Sequence, residues 1–134
     1  MKSVYEIVYR YVLPSIKRRL AEELQILGYT EKEVAKLLKV SQPLISRYNK
    51  GERGSAIDIA QFKDLDAQIK QLAREINQNN LSTIQIYSGL HKLAAYFMAK
   101  RYGCALHEEL DGINPTECSV CPTIFSVETR ITRV

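Results

Sequence analysis

Apolar residues recur along this chain at spacings of three and four, the period of helices that bury one face, and this predicts an all-α fold. Val4, Ile7, Val8, Tyr11 and Val12 form the first stripe. Pro14 then biases Leu13 toward an extended or kinked backbone, which separates an N-terminal helix from a first core helix over residues 15–27 carrying Leu20, Leu24 and Leu27. Tyr5, Tyr9 and Tyr11 read as cover for the main core in preference to a partner surface. Thr30 and Glu33 make a capping box, with Tyr29 and Val34 placed as a hydrophobic staple, so a helix starts at Thr30 and turns Val34, Ala35 and Leu38 inward. The period breaks at Lys39-Val40-Ser41. Ser41 is a good N-cap, Pro43 is tolerated in a first turn, and Gly51 suits a left-handed ending, which predicts a helix over residues 42–50 with Ile45 and Tyr48 buried.

Further on, Ser55 and Asp58 offer caps for a long helix reaching about residue 77. Its Phe62, Leu65, Ile69, Leu72 and Ile76 form a heptad seam of about two repeats, too short for a free-standing coiled coil. Residues 77–80 read as a turn. Ser82 with Gln85, and Leu81 with Ile86, repeat the capping-box and staple signature, opening a helix over residues 83–102 ended by Gly103. Its Ile84, Tyr87, Leu90, Ala94, Phe97 and Met98 would face the seam, within an antiparallel hairpin or across a dimer interface.

Residues 42–50 leave Gln42, Ser46, Arg47 and Asn49 pointing outward, with Lys50 and Arg53 just beyond, a face suited to a DNA major groove. Within residues 20–54, Val40-Ser41-Gln42, Ile45-Ser46-Arg47 and the ending Asn49-Lys50-Gly51-Glu52-Arg53 resemble the helix-turn-helix of the phage-repressor and Cro-like (XRE-type) DNA-binding proteins. Lys39 stands where that family's turn often carries glycine, so a left-handed or bridge geometry is expected there. The resemblance implies a lambda-repressor-like helix-turn-helix bundle that binds double-stranded DNA, followed here by a helical hairpin and a short Cys-rich C-terminal segment. It assigns base edges to Gln42 and Arg47, adenine suiting glutamine and guanine suiting arginine, and leaves Pro43 an apolar contact such as a thymine methyl. Thr30, Ser41, Lys50 and Arg53 would hold phosphates. Palindromic operators and two-fold readers go together in this family, which implies a homodimer. The whole chain looks like a small group of archaeal transcriptional regulators with a Tyr-Val-Leu-Pro-like segment, an XRE-type reader, a helical middle and a Cys-rich tail. The competing reading is a helical protein-interaction module, antitoxin-like or an assembly protein.

Three segments follow: residues 1–54 as N-terminal helix and DNA-binding unit, 55–103 as a helical dimerisation or hairpin region, and 104–134 as the tail. Charge supports the division, since residues 1–54 hold 11 Lys and Arg against 6 Asp and Glu, and the remainder 8 against 9. The basic excess therefore lies in the half that would meet a polyanion. At 134 residues, with 46% hydrophobic and 25% charged, the chain can bury a core and does not resemble a disordered one. No membrane-spanning run and no signal-peptide core is visible, so a cytoplasmic location is expected.

All three cysteines lie in the tail, as Cys104-Ala-Leu-His107 and, after ten residues, Cys118-Ser-Val-Cys121. Two residues between ligands let both side chains turn to one ion, and three thiolates with an imidazole suit a closed tetrahedral zinc site. An iron–sulfur cluster is the close competitor, Cys121-Pro122 matching the ending of ferredoxin-type ligand runs. A Cys118/Cys121 dithiol that oxidises to a disulfide, or incidental thiols, stay open as well. His107, beside Glu108 and Glu109, is the least secure ligand; His91 receives no role. The chain has no glycine-rich phosphate loop and no HExxH, and no enzyme is expected.

Overall fold

The computed structural model describes the backbone of residues 2–132 and the side chains of residues 2–126. All regular structure among them is helical. The first helix does not break at Pro14. Helix α1 (Val4–Ile7) passes through a π-helical segment (Val8–Val12) directly into α2 (Leu13–Ile26), every junction residue keeping right-handed helical dihedrals. Pro14 lacks an N–H and its ring would strike the carbonyl four residues back in an α-helix. The widened turn, with Leu13 N–H bonded to the Val8 carbonyl, makes room for it. Ser15, fully inside the protein, donates its hydroxyl to the Tyr11 carbonyl at 2.7 Å. The expected kink is thus replaced by one rod whose buried stripe runs through Ile7, Val12, Ile16, Leu20 and Leu24.

Helix α3 (Glu31–Leu38) carries the capping box in full: Glu33 N–H bonds Thr30 Oγ1 at 3.1 Å and Thr30 N–H bonds Glu33 Oε1 at 2.9 Å. Lys39 ends it in the left-handed region (φ 56°, ψ 44°), and Ser41 caps α4 (Gln42–Asn49) by accepting the Leu44 N–H. The following helix starts later than its sequence caps suggest. Asp58 opens only a 3-10 turn (Ile59–Gln61), and α5 spans Lys63–Asn79. Phe62 is held out of helical geometry between these elements, its ring stacked on Tyr102 (4.5 Å) and edge-on to Phe97 (5.3 Å). At the far end Asn77 and Asn79 remain helical, and the turn narrows to Asn80, which takes the left-handed conformation.

Helix α6 (Thr83–Ala99) has the second capping box, from Ser82 and Gln85. It stops before Gly103, because Arg101 adopts φ 64° and swings Tyr102 back over Phe62. Leu90, Ala94, Phe97 and Met98 are buried as expected, but Ile84 (74% exposed) and Tyr87 (62%) face outward and Ile86 and Leu93 take the inner side. Gly89 explains the rotation: α5 and α6 meet there so closely that a β-carbon would sit 3.1 Å from Leu72.

Arg19 to Asp66 (2.7 Å) and Tyr29 to Asn77 (3.2 Å) pair α2 with α5 in parallel, and α6 returns antiparallel. The tail is itself helical, with α7 (Cys104–Asp111) and α8 (Val120–Thr132), and α8 packs along α6. Lys2 N–H bonds Asp111 Oδ2 at 2.7 Å and the Tyr5 and Phe125 rings meet edge-on, so the chain's beginning and tail close on each other. One contiguous core includes residues from all three sequence segments, from Ile7 to Phe125. Among the described residues no helix is long and apolar enough to cross a membrane.

A clamp on α5 ties stability to pH. Tyr96 and Tyr102 donate their hydroxyls to Asp64 Oδ2 at 2.5 and 2.7 Å, and the Tyr96 bond is the main cause holding this carboxyl below its usual range. Its contribution is therefore complete above the unfolded carboxylate value of about 3.9 and is lost as pH falls through the lower folded value. The same bond pushes the Tyr96 phenol up to about 12, so stabilisation present below the unfolded value of about 10 is lost as pH rises through the folded one. In urea titrations at pH 7, Tyr96→Phe should be less stable by about 0.5–1 kcal/mol, the lower range for a hydrogen bond that solvent screens. The deficit should shrink as Asp64 protonates; a deficit independent of pH between 2 and 7 would remove Asp64 as its cause.

Candidate nucleic-acid interface and cysteine cluster

Helices α3 and α4 pack on each other and on α2. Ile45 and Tyr48 anchor α4 in the core, while Gln42, Pro43, Arg47, Asn49 and Lys50 are exposed; Ser46, expected to be exposed, is half-buried. Arg53 projects just beyond, and Arg18 Nε donates to the Tyr48 carbonyl at 3.0 Å, placing a cation at the C-terminal end of α4. The hydroxyls of Thr30 and Ser41 accept backbone N–H groups, so each keeps its own proton for an outside acceptor.

Asn49 is differently employed. Its Nδ2 donates to Gln25 Oε1 (2.9 Å) and Glu31 Oε2 (2.6 Å), and its Oδ1 accepts from Gln25 Nε2 (3.0 Å). This amide therefore braces α4 against α2 and α3. Sequence spacing cannot reveal such a pairing, because the partners lie 24 and 18 positions away.

At the other end of the molecule, Cys104, His107, Cys118 and Cys121 all line one cavity of about 10 Å³, floored by Met98 and Gly103. That is close to the volume of a single small sphere. Cys104 and His107 face it from the first turn of α7, Cys118 from the loop and Cys121 from the start of α8. The three thiols are free. Burial, with the neighbouring Cys104 and Cys118 adding to it, pushes the Cys121 thiol up to about 11. His107 is buried and its Nε2 lies 3.0 Å from Asp111 Oδ2, a pairing of positions one helical turn apart, which their spacing carries. Lys2 N–H, chiefly, and His107 hold that carboxyl below its ordinary range. Among the described residues, no three of the His, Cys, Asp and Glu side chains stand close enough together to hold a metal ion. The four residues thus share a cavity in a donor set of zinc-like chemistry, without being drawn to ligation distance.

Compared with known proteins, the chain matches no family model, no curated protein and no solved structure.

Proposed function

We propose that this chain is a sequence-specific DNA-binding transcriptional regulator, using α3, the Lys39–Ser41 turn and α4 as a helix-turn-helix. The observation that carries the reading is the division of α4: Ile45 and Tyr48 lock one side to the core while Gln42, Pro43 and Arg47 stand free on the other. Gln42 and Arg47 read base edges, Pro43 packs on a thymine methyl, and Thr30, Ser41, Lys50 and Arg53 hold phosphates. Asn49 keeps α4 at its angle through Gln25 and Glu31. The α5 seam is consumed inside the chain, so pairing of two copies on a palindrome falls to apolar groups left outside, Ile84 and Tyr87 on α6.

Selection from a random duplex library followed by titration tests this. Affinity for the selected duplex should fall steeply with salt, and sedimentation should find two chains per duplex. Arg47→Ala should weaken that complex by about 1–3 kcal/mol, roughly 5- to 150-fold, and relax the preference at one position. Absence of duplex affinity, together with salt-insensitive capture of a protein, would replace the reading with a helical interaction module.

We further propose that Cys104, His107, Cys118 and Cys121 are the ligands of a zinc ion, which would staple α7 to α8 as a structural cross-link. The shared cavity and the three-thiol, one-imidazole donor set support this. Purified protein should carry one zinc per chain, lost in the Cys118→Ser, Cys121→Ser double variant, and chelation should lower its melting temperature. Brown protein containing iron and sulfide would put a cluster in its place.

A further inference from the structure

Beside α4, away from its outward face, an open cleft of about 580 Å³ lies between the π-helical segment, α2 and α4. Three of its lining side chains are cationic, Arg10, Lys17 and Arg53, and none is acidic. Arg10 is shared with Glu6 at 3.2 Å. Lys17 and Arg53 meet no carboxylate among the described residues. Lys17 is also partly desolvated, burial drawing its ammonium below the ordinary lysine value. Tyr48 is 3% exposed and lines the cleft, and its hydroxyl, which has no hydrogen-bond partner among the described residues, opens to the cleft and is not a buried unpaired group. Arg53 lies near enough to act electrostatically on that phenol.

A half-buried charge is ordinarily paired, because leaving it unpaired costs free energy, and Lys17 is half-buried without a carboxylate partner. Here the half-buried Lys17 ammonium, the exposed Arg53 guanidinium and the Tyr48 hydroxyl line one cleft that no carboxylate lines. The geometry points to a phosphate-class anion as the group bound in this cleft, its oxygens accepting from Lys17 Nζ, the Arg53 guanidinium and the Tyr48 hydroxyl. Two cations from separate elements, Lys17 and Arg53, with Arg10 at the edge, suit the charge of a phosphate, about −2 spread over its oxygens, better than that of a singly charged carboxylate. Leu44 and Tyr48 join the cleft to α4, so one source of the anion is the DNA backbone beside the groove that α4 enters, an assignment that rests on the DNA-binding reading. The other source is free phosphate. In the first case the N-terminal rod becomes part of the DNA-binding surface.

The variants Lys17→Gln, Arg53→Gln and Tyr48→Phe separate these sources; the last retains the ring that fills the core. On duplex DNA, Lys17→Gln should weaken selected and scrambled sequences alike and make the salt dependence shallower by about one unit of log–log slope. Without DNA, inorganic phosphate should raise the melting temperature of the wild type above that in chloride at equal ionic strength, and the three variants should lose the rise. Either response, lost in the variants, supports the cleft and identifies its source. Wild-type protein that ignores DNA but shows the variant-sensitive phosphate rise would leave the cleft standing and defeat the DNA-binding reading. DNA binding that depends on Arg47 but is untouched in slope by all three variants, with no phosphate rise, would overturn the cleft alone.

Discussion

Phe97→Ala should destabilise the protein by about 3–5 kcal/mol, the range for emptying a well-packed aromatic site. Phe97 is 0% exposed, edge-on to Phe62 at 5.3 Å and to Tyr102 at 5.8 Å. Its ring also lies where a β-carbon on Gly103 would come within 3.1 Å, so the link from α6 to α7 is moulded around it. The vacancy cannot refill easily, because Phe62 and Tyr102 are fixed by each other and Tyr102 is held by Asp64. Urea unfolding with an unchanged denaturant slope measures the loss. A loss under about 2 kcal/mol would mean that the site collapses and that this aromatic group is not the hinge of the bundle. Because Met98 and Gly103 floor the cysteine cavity, the same variant should also loosen Cys121, and its thiol should react faster with a thiol reagent than in the wild type.

Gly54→Ala should be nearly as damaging. Gly54 has φ +70°, and an added β-carbon would stand 2.7 Å from the Pro14 carbonyl oxygen and 2.8 Å from Arg18 Cβ. The left-handed conformation costs about 1–2 kcal/mol for an L-residue, and the overpacking about 1–3 kcal/mol more. The backbone oxygen cannot rotate away as a side-chain tip would. Gly51 provides the control: its φ is +74°, but the nearest atom to a β-carbon is the Arg18 guanidinium at 3.8 Å. Gly51→Ala should therefore show the conformational part only, about 1–2 kcal/mol. Equal losses at the two positions would refute close contact between the loop after α4 and α2.

These two positions differ in how visible they are beforehand. Phe97 belongs to a helical stripe and is marked as core by spacing alone. Gly54 belongs to no pattern; its role comes from Pro14 and Arg18, some forty positions earlier in the chain. The same contrast holds across the candidate sites. The capped starts of α3, α4 and α6 follow from residues within four positions of one another, because caps are closed by local hydrogen bonds, whereas the left-handed Lys39 is one of two geometries that the family resemblance implies. The exposed Gln42 and Arg47 follow from the burial of Ile45 and Tyr48 on the same helix. By contrast, the bracing of Asn49, the bond from Lys2 to Asp111, and the meeting of Lys17 with Tyr48 and Arg53 involve partners whose separation in sequence carries no signal.

Tyr5 (55% exposed), Tyr9 (75%) and Leu27 (40%), expected on the core, lie largely outside it, and three further expectations failed for one kind of reason. Pro14 does not interrupt the first helix, because a π-helical turn and the Ser15 hydroxyl accommodate it while the buried stripe on both sides keeps the rod in register. Helix α5 starts at Lys63 and not at the Ser55 or Asp58 caps, because Phe62 gains more from its ring contacts than from a helical backbone. Ile84 and Tyr87 lie outside because Gly89 sets which side of α6 meets Leu72. In this protein the sequence by itself determined helical class, the caps of α3, α4 and α6 and the outward side of α4, since each depends on periodicity or short-range bonding. Only the tertiary structure decided where helices merge, which side of α6 is buried and which distant charges converge, since those depend on packing between segments that local chemistry cannot see.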